Sequence, residues 1–298
     1  MVCGLAFEGK QKDWLKSMPE LDIIAEVEPV FVFNQNSVDI STDIWTKLAQ
    51  EIYSRMDEAA GFVVLHGLDN LLYTSAALSF MLQNLTKPII FTGGLFDQTK
   101  NKKIDIRANL INAAQAASLD FTEVGLMFGN RLLRANQSSI AADETLNLFV
   151  APDTAILGRI DFSIRIFDKL VAKNTGKTTL FDKLNANIEV VKISPLINLK
   201  DLTQRLTDKQ GVIIKAGKFQ SIPADIMFIL EKVTADLPIV IWSKVIQPSA
   251  VSPKNLIIIN NITWESTLTK FIWALGQSRE IKTVKQLMSD EVAQEILD

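Results

Sequence analysis

Short β-branched runs alternate with longer helical segments along this chain, and the alternation predicts an α/β protein whose parallel strands are covered by helices. The series is interrupted once, by the polar stretch "KLVAKNTGKTTLFDKLNAN" with its turn-like Asn174-Thr175-Gly176, and then resumes with four new strand candidates. With 298 residues, 48% of them hydrophobic, the chain is long enough to build two cores. The expected organisation is a larger N-terminal parallel-sheet domain over 1–175, a linker over 176–187 and a smaller C-terminal α/β domain over 188–298.

The elements follow in order. "VCGLAF" and "VFVFN" are the first strand candidates. In "STDIWTKLAQEIYSRM", Ser41 or Thr42 can cap a helix whose apolar stripe is Ile44, Trp45, Leu48, Ile52 and Met56. "FVVLH" reads as a strand, "LLYTSAALSFMLQNL" as a helix and "PIIFTGG" as the next strand. A helix over "IDIRANLINAAQAASL" and a strand over "EVGLMFG" come next, then a polar loop or hairpin, "LLRANQSSIAADETL". In the second series, "IEVVKIS", "GVIIKAG", "PIVIWS" and "NLIIIN" are strands, with helices over "PADIMFILEKVTAD" and "ITWESTLTKFIWALG".

Composition excludes several functions. A formal net charge of −3 gives no electrostatic reason to bind nucleic acid. No run of about 18 apolar residues exists, so a membrane span is not expected. "MVCGLAFEGKQKDWLK" lacks a basic region followed by a sustained apolar stretch, so no secretory signal is expected and a cytoplasmic protein is the default. The single cysteine, Cys3, rules out a disulfide within the chain, and with the single histidine, His66, it rules out a Cys/His zinc site by count. No metal and no cofactor are expected. "NTGKTT" lacks the first glycine and the spacing of a phosphate loop. A Ser-His-Asp triad would have to use His66, which otherwise reads as a structural hydrogen-bonding residue. Catalytic options narrow to hydroxyls, carboxylates and lysines.

Attention falls on "HGLDN", His66 to Asn70, at the tip of a buried parallel strand, where chemistry collects in such sheets. Around it, "GFVVLHGLDNLLYTSAALSFML", "NQNSVDISTDIWTKLAQEI", "KPIIFTGG" followed by Asp105 and Asn109-Leu110, and "ITWESTLTKFIWALG" stand in one order. These four blocks resemble the bacterial and archaeal L-asparaginase family, which includes cytoplasmic asparaginases and the asparaginase-like subunit of glutamyl-tRNA amidotransferase. The resemblance covers nearly the whole chain. It implies a two-domain asparaginase-like fold with a Rossmann-like smaller domain. It also implies amide hydrolysis by threonine nucleophiles, and dimers or tetramers in which the smaller domain often completes a neighbour's site.

The departures from that family concentrate on chemistry. The family's nucleophile loop "TGGTI" is absent from "LAFEGKQKDW". In "HGLDN", against the family's "HGTDT", Leu68 replaces the threonine, Asp69 is kept and Asn70 replaces the last threonine. In "RANQSSI", Arg134 and Asn136 match, but Ile140 fills the lysine region. Asn36 stands at an acidic substrate-binding position, with Ser37 retained. The resemblance assigns Ser37 and Asp69 to gripping the α-carboxylate and α-amino groups of an amino acid, a complementary pairing. Asp69 can equally serve the helix N-terminus that follows it.

Two readings result. The first is an asparaginase-fold protein without the threonine nucleophiles and lysine, working as a non-catalytic binding, regulatory or structural subunit. Its expected partners are a small amino-acid ligand and other chains, in a homo-oligomer or a hetero-oligomer with a paralogue. The second is an active asparaginase-type amidohydrolase, converting asparagine to aspartate and ammonia, with relocated residues drawn from Ser37, Thr92, Ser138, Ser139, Lys100, Lys102 and Lys103. The tryptophan-containing helix from Trp264 to Trp273 is available either for an interface or for core packing.

Overall fold

The computed structural model describes residues 2–3, 15, 17–33, 36–94, 106–142, 147–160, 164–167, 171, 174, 176–216, 222–233, 236–243 and 255–297. Two compact units divide between Asp182 and Lys183.

The strands of the first unit are β1 (Val2–Cys3), β2 (Phe62–Leu65), β3 (Leu82–Gln83), β4 (Ile89–Thr92), β5 (Val124–Phe128), β6 (Arg131–Arg134), β7 (Ser139–Ile140), β8 (Phe149–Val150), β9 (Ile156–Ile160), β10 (Ile164–Ile166) and β11 (Thr179–Leu180). Seven of them form one sheet in the order β1-β2-β4-β5-β6-β9-β10. The first four are parallel, with Val63 opposite Ile90 and Ile90 opposite Gly125. The last three continue the sheet antiparallel. β2 and β4 are buried along their whole length, as unbroken apolar runs in a covered parallel sheet must be.

Among the described residues, the helices beside this sheet are α1 (Pro19–Ile24), α2 (Thr42–Ser54), α3 (Leu71–Met81) and α4 (Ile106–Ala117). α2 follows Ser41 and buries the expected stripe of Ile44, Trp45, Leu48 and Ile52, with Met56 just beyond its end. α3 is apolar on every side and buried on nearly every side, and the Trp45 indole donates to Thr74 of α3 at 3.0 Å. α4 is rich in alanine on its buried face, which packs with Ile90 and Met127 of the sheet.

Two boundaries differ from the sequence reading. Val30 to Phe33 of "VFVFN" form no strand beyond an isolated bridge at Pro29. Proline has no N–H to donate to a ladder, and Phe33 turns inward against the His66 ring, 5.9 Å between centroids. α3 stops at Met81, because Leu82 and Gln83 pair antiparallel with Leu180 and Thr179.

The second unit has four parallel strands, β12 (Ile188–Lys192), β13 (Gly211–Lys215), β14 (Ile239–Trp242) and β15 (Leu256–Ile259), in that spatial order. Its helices are α5 (Leu199–Arg205), α6 (Ala224–Val233), α7 (Trp264–Gln277) and α8 (Ile281–Ser289). One core joins Leu202, Ile226, Met227 and Leu230 to Val212, Ile214, Ile239 and Ile241. Thr263 caps α7 by accepting from the Ser266 N–H at 3.2 Å. Trp264 and Trp273 are 7% and 3% exposed, so core packing is the use this unit makes of them. Lys270 and Glu295, both fully buried, form an ion pair. The ammonium also donates to the Met288 and Asp290 carbonyls, and the carboxylate accepts from the Val292 and Ala293 N–H groups. Among the described residues no helix is long and apolar enough to cross a membrane.

Candidate functional site

The carboxyl ends of β2 and β4 carry His66 to Asn70 and Thr92 of the residues singled out by sequence. β2 ends at Leu65 and continues to His66, whose N–H donates to the Thr92 carbonyl at 2.9 Å and so carries the β2–β4 ladder one residue further. The chain then turns through Gly67 to Asn70, and α3 begins.

Gly67 admits the first close approach. A Cβ there would lie 2.5 Å from the Ser37 Oγ and 2.7 Å from its Cβ. Ser37 opens a single 3-10 turn, Ser37–Asp39, and is 8% exposed. Its hydroxyl donates to Asp69 Oδ2 at 2.6 Å, and its Oγ accepts from the Asp69 N–H at 3.3 Å. Asn70 completes the clasp: its Nδ2 donates to the Ser37 carbonyl at 2.8 Å and to that of Val38 at 3.3 Å. Asp69 is exposed, Leu68 is half-buried and Asn36 is exposed. The structure therefore brings Ser37, Asp69 and Asn70 together, with Asn36 beside Ser37 in the chain.

His66 is no triad histidine. It is fully buried between the rings of Phe33 and Phe91, and its Nδ1 sits 2.6 Å from the Gly67 carbonyl, so that nitrogen is the donor. Its Nε2 has no hydrogen-bond partner among the described residues. Burial lowers its pKa to about 4, against smaller opposing effects of the Gly67 hydrogen bond and the Asp69 charge. The ring is neutral near pH 7.

Two of the hydroxyls considered for relocated chemistry, those of Thr92 and Ser138, are committed elsewhere. Thr92 is fully buried and donates to the Met127 carbonyl at 2.7 Å, tying β4 to β5. Ser138 is 1% exposed and donates to the Arg134 carbonyl at 2.7 Å. Ser139 lies in β7, opposite Val150. Lys100, Lys102, Lys103 and Asp105 lie outside the described residues, as does "LAFEGKQKD".

Ile140 pairs with Phe149, whose ring stacks edge-on against Phe128 at 4.8 Å. The β7–β8 hairpin is thereby seated at the carboxyl end of β5, with the Ile140 side chain 60% exposed. Behind it, Arg134 makes a bidentate pair with Glu123 at 2.9 and 3.2 Å, both side chains buried.

Two positioning residues carry no sign of that role when each is read alone. A Cβ on Gly93 would sit 2.1 Å from the His66 carbonyl, so only glycine lets the loop after β4 lie against the His66 turn. Asn109, buried in α4, donates to the Gly93 carbonyl at 2.9 Å and accepts from the Gly129 N–H at 3.0 Å, joining the loops after β4 and β5.

The second unit places a separate cluster at the carboxyl ends of β13 and β14. The Lys215 ammonium lies 4.5 Å from the Trp264 ring centre and 5.7 Å from that of Trp242. Burial lowers the Lys215 pKa and raises that of the neighbouring Glu265, while their mutual attraction opposes both shifts. "IIK" and "IVIW" at strand tips were the available signals. Among the described residues no three His, Cys, Asp or Glu side chains converge in a way that could hold a metal ion.

Known proteins share this arrangement of elements. The family model described as "Asparaginase, N-terminal" matches residues 4–172. The chain is 30% identical over 277 residues to L-asparaginase 1 of Escherichia coli, covering 88% of this chain and 82% of that protein. It is 26% identical to a glutamyl-tRNA(Gln) amidotransferase subunit from Pyrococcus furiosus, over 94% of this chain and 69% of that one. A longer L-asparaginase of Dirofilaria immitis is 31% identical over 66% of this chain, which spans only 34% of that protein. In three dimensions, L-asparaginase I of Vibrio cholerae superposes with a TM-score of 0.82 at 25% identity, over 100% of this chain and 98% of the other. Sequence, order of elements and fold agree: the chain belongs to the asparaginase family.

Proposed function

We propose that this chain works by binding rather than by hydrolysis, as a non-catalytic binding, regulatory or structural subunit of the asparaginase fold. The observation that carries this reading is the partner of Asp69. Its carboxylate is held by the Ser37 hydroxyl, and among the described residues no lysine is hydrogen-bonded to a serine or threonine hydroxyl. Leu68 precedes it and exposed Ile140 stands in the family's lysine region, and the Ser37 hydroxyl that meets Asp69 has no lysine hydrogen-bonded to it among the described residues. Loss of a nucleophile and its activating group costs many powers of ten in rate and leaves only positioning. Binding needs less. Asp69 Oδ1 has no hydrogen bond among the described residues and is free to receive an ammonium group.

The test is ammonia release from L-asparagine and L-glutamine by the purified protein, beside an Asp69→Ala variant. Release at background level is expected from both. Release well above background from the native chain, abolished by Asp69→Ala, supports the second reading instead, an active amidohydrolase with relocated residues. The relatives named as L-asparaginases favour that second reading. Assembly with other copies, or with a competent paralogue, belongs to the same proposal. It is supported by the Pyrococcus relative being named as a subunit. A cytoplasmic setting completes it, supported by the use of a single cysteine.

A further inference from the structure

The second unit has a depression of about 640 Å³ at the amino ends of β12 and β13, beside the C-terminal end of α7. It lies at the opposite end of that sheet from Lys215 and Trp242. The volume is in the range of small-molecule sites. Its wall carries two cations, Lys183 and Arg279, and four amides, Asn185, Asn187, Gln210 and Gln277, with no carboxylate among the lining residues. That is a local charge of +2 in a chain whose net charge is −3.

Part of the backbone around the depression is already hydrogen-bonded. Gln277 Nε2 donates to the Lys183 and Trp273 carbonyls at 2.8 and 3.1 Å. The Ala274 carbonyl accepts the Ser278 N–H, so two of the last carbonyls of α7 are capped. Asn187 takes its N–H to Asn185 Oδ1 at 3.1 Å and its Nδ2 to the Asp208 carbonyl at 2.8 Å. Close packing fixes the wall: a Cβ on Gly276 would lie 2.1 Å from the Lys183 carbonyl. By contrast, the side chains of Lys183, Arg279 and Gln210 have no hydrogen bond or ion pair among the described residues. The nearest acid in sequence, Glu280, accepts from Thr283 instead of pairing with Arg279.

From this arrangement we infer that the depression is a binding site for a small multivalent anion, held by Lys183 and Arg279 with the unengaged side-chain amide of Gln210. A lysine and an arginine lining one cavity favour an oxyanion with at least two charges, either a phosphate compound or a polycarboxylate. The site is independent of the Ser37–Asp69 clasp and does not rest on the reading given for it. A solvated lysine and an arginine that merely complements the α7 dipole are the rival account, and they make no saturable site.

The experiment titrates the full chain with inorganic pyrophosphate and, in a separate arm, with citrate. Binding is followed by the unfolding temperature and by broadening of the pyrophosphate phosphorus resonance. A saturable response is expected to at least one anion: pyrophosphate alone identifies a phosphate compound, citrate alone a polycarboxylate, and both a general multivalent-anion site. Lys183→Met and Arg279→Met are each expected to weaken binding about tenfold or more, and the double variant to abolish it, with Lys200→Met as an unaffected control. An unsaturable response, one reproduced by sodium chloride at equal ionic strength, or one retained by the double variant overturns the inference. If the double variant does not fold, absence of a saturable response to either anion with the folded native chain overturns it equally.

Discussion

Gly67 is the point where the turn after β2 packs against Ser37. Adding a methyl group there places it within 2.7 Å of two Ser37 atoms, and Ser37 is itself held by Asp69 and Asn70. Gly67→Ala is therefore expected to lower stability by about 1–3 kcal/mol, the usual cost of overpacking, measured by urea unfolding. It should also weaken any amino-acid binding at Asp69, because Ser37 must move. His66 makes a second residue-scale prediction. Its folded pKa, about 4, lies below the ordinary value of 6.5, so between those values the unfolded chain binds the extra proton. Stability is full above pH 6.5 and falls as pH drops toward 4, by roughly 3 kcal/mol in all. His66→Gln should show a flatter pH dependence over that window. An unchanged slope would mean that carboxylates, not the buried ring, set the acid response. Sequence placed His66, Asp69 and Ser37 on one strand-tip site through the resemblance, but their hydrogen bonds were invisible. Whether a hydroxyl is free or spent depends on a neighbour 32 residues away.

At the scale of elements, the ion pair Glu123–Arg134 locks the start of β5 to the end of β6, and Lys270–Glu295 locks α7 to the chain that follows α8. Both are buried, so removing one partner leaves a charge without compensation. Arg134→Met is expected to cost about 3–5 kcal/mol, and the double variant Glu123→Leu/Arg134→Met to recover most of it, as a thermal unfolding series can establish. Full additivity of the two single changes would show that the pair acts as two independent groups. The long elements were legible because their periodicity is strong: the stripe of α2, the apolar runs of β2 and β4, the four strands of the second unit. β9 and β10 were not anticipated, since their pairing is antiparallel with β6 and with each other and leaves Arg159 and Arg165 exposed. α5 and α8 bury only Leu202, and Val284 with Met288, too few residues for a pattern to stand out.

For the whole molecule, binding and catalysis separate cleanly. If the chain is a binding subunit, L-aspartate should raise the unfolding temperature of the native protein and not of Asp69→Ala, while ammonia release stays at background. A ligand effect that survives Asp69→Ala would place recognition elsewhere. Native mass measurements should return a multiple of the chain mass or a mixed complex; a monomer at working concentrations would remove the assembly from the proposal. What the sequence determined by itself was the α/β class, the ancestry and the chemical inventory, because these depend on local periodicity, on the order of motifs and on which side chains exist at all. One histidine and one cysteine closed whole classes of mechanism before any fold was known. Tertiary structure alone decided how those side chains are used. Thr92 became a strand tie, Trp264 and Trp273 became core, Ser37 became the partner of Asp69, and Lys183 and Arg279 came to line one depression. Burial and hydrogen-bond saturation are properties of neighbours brought together by folding, and no local pattern in the chain encodes them.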